Sequence, residues 1–394
     1  MTELRAGWAG LSDRSAAIPA SGIRAIAAAA WARPGTVRLE LGEPRHDTAE
    51  HIVAAADRAA RDGRTHYGPT AGLPEFRAAV AEKLVRDNGW PAEAAVPDRV
   101  VTAAGGVGAL FAAYAAVLDS GDEILVPDPG WPNFRGLASA VGARAVGYPT
   151  DPVTGGAPPT DTLDSLTGPA TRAILINSPS NPTSSMWSRA DLAAVGDWAA
   201  GRGLWVISDE CYDMLGLDVA PLSAAVAAPA ARTITVFSLS KTYAMTGWRL
   251  GYATGPTDAV AAMTRVLEAT ASCPSTVTQS AGVAALLGPQ DAAERMRRSY
   301  AETRDVAVAE AERLGLGHIR PVGGFYLWLT LPPTAPSSDL FAVDLVERRG
   351  VAVAPGSAFG PAGQDRLRLS LAAPADDVVT GLRAIAAALE GEGS

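Results

Sequence analysis

SLSKTYAMTGWRLGY, residues 238–252, is the stretch on which the reading of this chain turns. It overlaps TITVFS (233–238), whose apolar and β-branched residues predict a buried parallel strand, so Ser238, Ser240 and Lys241 are predicted where that strand passes into a loop. In open α/β sheets ligands bind at the carboxyl ends of strands. The side chains gathered there suit one kind of ligand. Lys241 can form a Schiff base with an aldehyde, Ser238 and Ser240 can donate to phosphate oxygens, and Arg249 can grip the same phosphate with a two-bond fork. A lone lysine after a strand is ordinarily a solvated surface residue. The serines before it and the arginine after it favour the functional reading.

Outward from this segment, further strand-like runs occur at EILVP (123–127), AILINS (173–178), LWVISD (204–209) and RLGYAT (249–254), with helical stretches between several of them. That alternation predicts an α/β fold, a mainly parallel sheet covered by helices. DPVTGGAPPT (151–160) is predicted as a surface loop, because strands resume on both sides of it. A charged helical pattern from Pro289 to Leu314 is long enough to carry the chain into a second unit, and the strand-rich tail contains FYLWLTL (325–331), VAVAP (351–355) and RLRLSL (366–371). A chain of 394 residues exceeds one ordinary core. The expected division is a large domain over 45–289 and a smaller α+β domain built from 1–44 and 290–394.

Composition narrows the function. With 48% hydrophobic and 19% charged residues the chain reads as globular, and a net charge of −9 argues against a nucleic-acid partner and against anionic membrane surfaces. Cys211 and Cys273 form neither a disulfide framework nor a metal spacing, and His46, His51, His66 and His318 lack ligand spacing, so no metal is expected. Glu3, Arg5, Asp13 and Arg14 break up the order of a signal peptide, and no run of about 18 apolar residues suggests a membrane span. A cytoplasmic protein acting on small molecules is the expectation.

The residues that carry chemistry recur in a definite order: LELGEP (39–44), THYGPTAGLPEFRAAV (65–80), AAGGVGAL (103–110), DEILVPDPGWPNF (122–134), NSPSNPT (177–183), SDECYD (208–213), the lysine segment, and GVAVAPGSAFG (350–360) followed by RLRLSLA (366–372). In this order the chain resembles the class I and II aminotransferase family, enzymes of fold type I that use pyridoxal 5'-phosphate. The resemblance spans almost the whole chain. It implies that Lys241 holds the cofactor and moves the proton, and that Asp209 pairs with the pyridine nitrogen so that the ring accepts carbanion electrons. Tyr212 and Asn181 would face the cofactor's phenolate oxygen. Ser238, Ser240, Arg249 and the backbone at Gly105, Gly106 and Val107 would hold the phosphate. Trp131 would stack on the ring, and Gly42, Asn181, Trp131 and Arg368 would meet the substrate, with Arg368 taking its carboxylate. Tyr67 would reach the phosphate of a partner subunit in a homodimer.

Taken singly, these residues also have ordinary readings. Asp209 could be a helix cap, Asn181 a turn before proline, Gly105–Gly106 a plain turn, Trp131 a core residue, Tyr67 a surface aromatic and Cys211 a small buried hydrophobe. Arg366 lies on the same strand face as Arg368, and only the family's R-L-S order favours the latter. Ser184 stands where the family usually has glycine, Gly324 where alanine is common, and Val107 where a polar residue is often found. The segments 15–23, 131–135 and 270–276 are expected to form the pocket for the substrate side chain. The implied activity is ping-pong transfer of an amino group between an α-amino acid and a 2-oxo acid. A lyase or cyclase acting on the same carbanion is the alternative within catalysis. A non-catalytic cofactor-binding regulator is disfavoured by the intact lysine segment and by the lack of a DNA-reading pattern before residue 39.

Overall fold

A computed structural model describes residues 11–18 and 20–391 of the chain; Glu3 and Arg5 lie outside them. Its strands in chain order are β1 (Val37–Arg38), β2 (Val100–Ala103), β3 (Glu123–Asp128), β4 (Arg144–Pro149), β5 (Thr171–Asn177), β6 (Trp205–Asp209), β7 (Arg232–Ser238), β8 (Gly251–Thr254), β9 (His318–Ile319), β10 (Tyr326–Thr330), β11 (Val351–Ala352), β12 (Ala354–Pro355) and β13 (Arg366–Ser370). Seven of them form one sheet in the order β2-β8-β7-β6-β5-β3-β4. Its pairs are parallel except those of β8, which runs antiparallel to both β2 and β7. The fold is therefore the mixed α/β arrangement expected, with a mainly parallel sheet and helices packed on it. The central strands are buried along their length, as a sheet covered on both faces requires.

Elsewhere β12, β13, β10 and β9 form a four-stranded antiparallel sheet, and β1 pairs in parallel with β11. That short pairing ties residues 37–39 to the C-terminal part of the chain, with Leu39 N donating to Ala352 O and Ser370 N donating to Leu39 O. The 23-residue helix Asp291–Arg313 runs where a charged helix was expected. Among the described residues, no helix is long and apolar enough to cross a membrane.

Several local expectations need correction. Lys241 sits on a one-turn helix, Leu239–Thr242, rather than in a loop, because the Ser238 hydroxyl accepts the Ser240 N–H at 3.2 Å and starts a turn where the strand ends. RLGYAT starts its strand two residues late, since Arg249 has φ +56, a left-handed conformation that cannot continue a ladder. VAVAP is interrupted at Val353, so its two halves pair with different sheets. Segment 15–23 is not simply a loop, because helices occupy Asp13–Ala16 and Gly22–Trp31.

Candidate active site

A cavity of about 650 Å³ opens at the carboxyl ends of β5, β6 and β7, where Asn177, Asp209 and Ser238 line it. It is bounded on its other sides by the N-terminus of helix Gly105–Val117, by the segment around Gly42, and by Tyr326 of β10 and Arg368 of β13. Of the residues singled out in sequence, Gly42, Gly106, Val107, Trp131, Asn181 and Asp209 lie on its wall. So do Tyr212, Ser238, Ser240, Lys241, Arg249 and Arg368. Gly105 sits just behind the wall. Tyr67 is 90% exposed and does not line the cavity.

Lys241 Nζ donates to the Gly42 carbonyl at 2.6 Å, which fixes the amine on the cavity wall. Gly42 has to be glycine here, because a Cβ would overlap the Tyr326 hydroxyl. The opposite wall is suited to an anion. Helix Gly105–Val117 begins without a side-chain cap, so its first N–H groups are free for a ligand. Arg249 packs on Gly105 so closely that a Cβ there would overlap its guanidinium, and Gly105 has φ +79, which glycine adopts without strain. A Cβ on Gly106 would lie 3.3 Å from the Ser238 Cβ, so helix end and serine face one another. The Arg249 guanidinium donates to the Thr246 carbonyl at 2.7 Å, fixing its aim.

Asp209 ends β6 with 4% exposure. Burial pushes its carboxyl up to about 6, against the opposing hydrogen bonds from Cys211 and the charge of Lys241. The Cys211 N–H donates to Asp209 Oδ1 at 3.2 Å. Its neighbour Glu210 points away from the cavity and accepts from Ser208, Ser223 and the Ala224 N–H. Tyr212 is buried, with its hydroxyl 2.9 Å from that of Tyr326. Burial raises the Tyr212 hydroxyl well above the usual range, so it remains a hydrogen-bond donor at ordinary pH.

The two arginines differ in their surroundings. Arg368 is 2% exposed and lines the cavity, donating to Asn181 Oδ1 at 3.0 Å and to the Glu40 carbonyl at 2.6 Å. Its Nε is buried without a partner. Arg366 instead donates to Thr330 Oγ1 at 2.5 Å, outside the cavity. A buried guanidinium with an unused donor is an anion site waiting for a planar acceptor such as a carboxylate. A buried acid, an amine, free helix amides and a buried guanidinium around one cavity form a set that fits a flat, phosphate-bearing aldehyde together with an amino acid.

Asn177 and Tyr326 line the cavity but were not singled out in sequence; for Tyr326, FYLWLTL signalled only a strand. Ser184 explains its position. Ser184 adopts φ +54, the conformation glycine takes easily, and its hydroxyl accepts the Tyr326 N–H at 2.8 Å, so the serine adds an anchor that glycine cannot supply. Of the expected side-chain pocket, Ser21, Ile23, Trp131, Pro132 and Asn133 line the cavity, but 270–276 does not, since helix Thr257–Ala271 occupies its first two residues and the rest packs elsewhere. Arg24, at the rim of the cavity, carried no sequence signal.

The family model for aminotransferase class I and II matches residues 34–385. A probable aspartate/prephenate aminotransferase of Thermus aquaticus is 36% identical over 97% of this chain and all of its own length. An aromatic-amino-acid aminotransferase 2 of Thermococcus litoralis is 35% identical over 92% of this chain and 94% of its own. The aspartate aminotransferase structure from Thermus thermophilus with maleate superposes with a TM-score of 0.89 at 36% identity, covering 96% of this chain and all of that one. A match of this extent, in sequence and in fold, means that the chain belongs to the class I and II aminotransferase family and is a pyridoxal 5'-phosphate-dependent aminotransferase.

Proposed function

We propose that this aminotransferase works with Lys241 as the residue that binds the cofactor's carbonyl carbon and then carries the proton. The observation that supports this most directly is the placement of Lys241 Nζ, Asp209 and the unpaired Arg368 Nε around one cavity. When bound, pyridoxal 5'-phosphate supplies an electron sink for the α-carbon's electron pair. Asp209 would hold the ring nitrogen in its protonated form, and the Tyr212 hydroxyl and Asn181 would donate to the ring oxygen. The free amides at Gly105, Gly106 and Val107, with Ser238, Ser240 and Arg249, would hold the phosphate. Trp131 would lie against the ring face. Arg368 would orient the substrate carboxylate beside Gly42, leaving the freed Lys241 amine to take the α-proton.

Beyond these groups the wall is mixed: Ile23, Leu41, Leu110 and Pro132 are apolar, whereas Ser21, Arg24, Glu43, Asn133, Asn177 and Thr246 are polar or charged. The test is a half-reaction. Single amino acids are added to the loaded enzyme without any 2-oxo acid, and the absorbance spectrum and the released product are followed. Conversion to the aminated cofactor with one equivalent of 2-oxo acid is expected, reversed by a second 2-oxo acid. Release of ammonia without any exchange would point instead to a lyase.

The two-domain division, 45–289 against 1–44 with 290–394, belongs to the proposal. It is supported by the strands of the seven-stranded sheet, which lie between Val100 and Thr254. A cytoplasmic location is supported by the unpaired Cys211 and Cys273, which suit a reducing compartment. We also propose a homodimer with shared sites. The exposed Tyr67 stands on a loop rich in turn residues, and its hydroxyl would reach the cofactor phosphate of the partner. Mixing Tyr67→Phe subunits with Lys241→Ala subunits checks this. A mixed dimer then has one site with both lesions and one with neither, so activity above that of either parent is expected. No gain, despite demonstrated subunit exchange and a defect in each parent, would put Tyr67 outside the partner's site.

A further inference from the structure

We infer that the buried Lys83–Asp213 ion pair is a positioning device for the cofactor site, holding the Asp209–Asp213 turn and the end of β7 in register; the inference rests on the residue roles proposed above. Lys83 lies on helix Pro74–Asn88 with 2% exposure, and its ammonium donates to the Asp213 carboxylate and, at 2.7 Å, to Asn88 Oδ1. Asn88 Nδ2 donates to Asp213 Oδ2 at 3.0 Å, which closes a three-membered network. The ammonium also lies 5.0 Å from the centre of the Phe237 ring. None of these four residues lines the cavity.

What makes the network more than core packing is where its members attach. Asp213 follows Tyr212 directly, and its N–H donates to the Glu210 carbonyl at 3.1 Å, closing the turn that begins immediately after Asp209 at the end of β6. Phe237 precedes Ser238 in β7. One buried charge therefore touches the turn bearing the ring-nitrogen acid and the ring-oxygen donor, and also the strand bearing the phosphate serines. Apolar side chains of similar volume would fill this space with little or no loss of stability. What they would lack is direction: an ammonium with fixed donors tolerates one placement of its carboxylate, whereas packed methyl groups allow several.

The test compares the loaded wild type with the double variant Lys83→Met/Asp213→Leu, which leaves no unpaired buried charge. Three quantities are read: the thermal midpoint, borohydride trapping of the cofactor on Lys241, and the pH midpoint of the absorbance of the cofactor–lysine linkage. The linkage midpoint reports how Tyr212 and Asp209 face the cofactor, and a purely structural role would leave it unmoved. Expected are a thermal midpoint within a few degrees of wild type, trapping retained at Lys241, and a pH midpoint moved by at least about half a unit, a factor of about 3 in proton affinity. kcat should fall while KM changes little. An unmoved pH midpoint with unchanged kcat, whatever the thermal midpoint does, overturns the inference. If the double variant does not fold, Asn88→Ala decides, since it keeps the ion pair but removes the side-chain amide bonded to both partners; a smaller shift in the same direction is expected, and no shift overturns the proposal. Trapping of wild type on a different lysine would instead overturn the underlying reading of the site, an outcome distinct from these.

Discussion

Lys241→Ala is expected to lower kcat by a factor on the order of 10⁴, the upper end of what positioned proton transfer contributes. Lys241 is asked to do two things from one place, to bond the cofactor and to carry the α-proton, and among the described residues it is the one amine on the cavity wall. Of the other titratable residues there, Asp209 is a buried acid, burial holds the protons of Tyr212 and Cys211, Glu43 accepts from the Thr246 hydroxyl, and Arg24, Arg249, Tyr326 and Arg368 carry no amine that could bond an aldehyde carbon. The residues proposed to hold the phosphate, Ser238, Ser240, Arg249 and the helix amides at Gly105 and Gly106, do not depend on the lysine amine, so the variant should still bind the cofactor noncovalently. Two measurements check this. Borohydride reduction of wild type followed by peptide mapping should place the label on Lys241, and single-turnover rates should show the loss in the proton step rather than in substrate binding. A label elsewhere, or a single-turnover rate within tenfold of wild type, would remove Lys241 from its role.

Asp209→Ala is expected to slow the chemical step by about 10²–10³, the usual result of deleting one preorganised charge at a reacting centre, while Asp209→Glu loses much less. The same carboxyl makes a second, independent expectation possible in the cofactor-free protein. Its pKa in the folded chain, about 6, lies above the ordinary value of 3.8, and burial is the main cause. Between these two values the folded state binds more protons than the unfolded state. Stability is therefore lost as pH rises through this window, and the loss is complete above about pH 6. The shift of roughly two units corresponds to a penalty on the order of 3 kcal/mol at neutral pH. Cofactor-free Asp209→Asn should thus be more stable than cofactor-free wild type at pH 7–8, with the advantage vanishing below about pH 4. Saturating cofactor should shrink or reverse it, because a protonated ring nitrogen gives the carboxylate its partner. Denaturant unfolding at the two pH values measures this, and an equal difference at both would show that burial does not govern this carboxyl.

Much of this molecule was legible in the chain. Strands β3, β5, β6 and β7 were readable because buried parallel strands are continuous apolar runs that need no knowledge of their neighbours. Asp209 and Ser238, expected at the site, end β6 and β7, and the chain must deliver them to one edge of the sheet; Asn177, which ends β5 beside them, was not singled out in sequence. The two strands of the large sheet that went unread, β2 and β4, are a four-residue segment and one with glycine inside it and proline at its end, and β1 and β9 have only two residues each, so local composition does not mark them.

Other features exist only because distant segments meet. Arg366 and Arg368 are equivalent by strand alternation, and only the docking of β13 against the Glu40 carbonyl and Asn181 separates the buried anion site from the arginine that reaches Thr330. Tyr326 lies 114 residues from Tyr212 in sequence, yet their hydroxyls meet at 2.9 Å. Lys83 would read as one more polar position on an amphipathic helix, and its burial follows from Asp213, 130 residues away. By itself the sequence determined which chemical groups stand at the ends of strands, because period and composition are local properties. Which of those groups lose water, find partners and share a cavity was decided by the tertiary structure, because desolvation and pairing depend on whatever else packs against them.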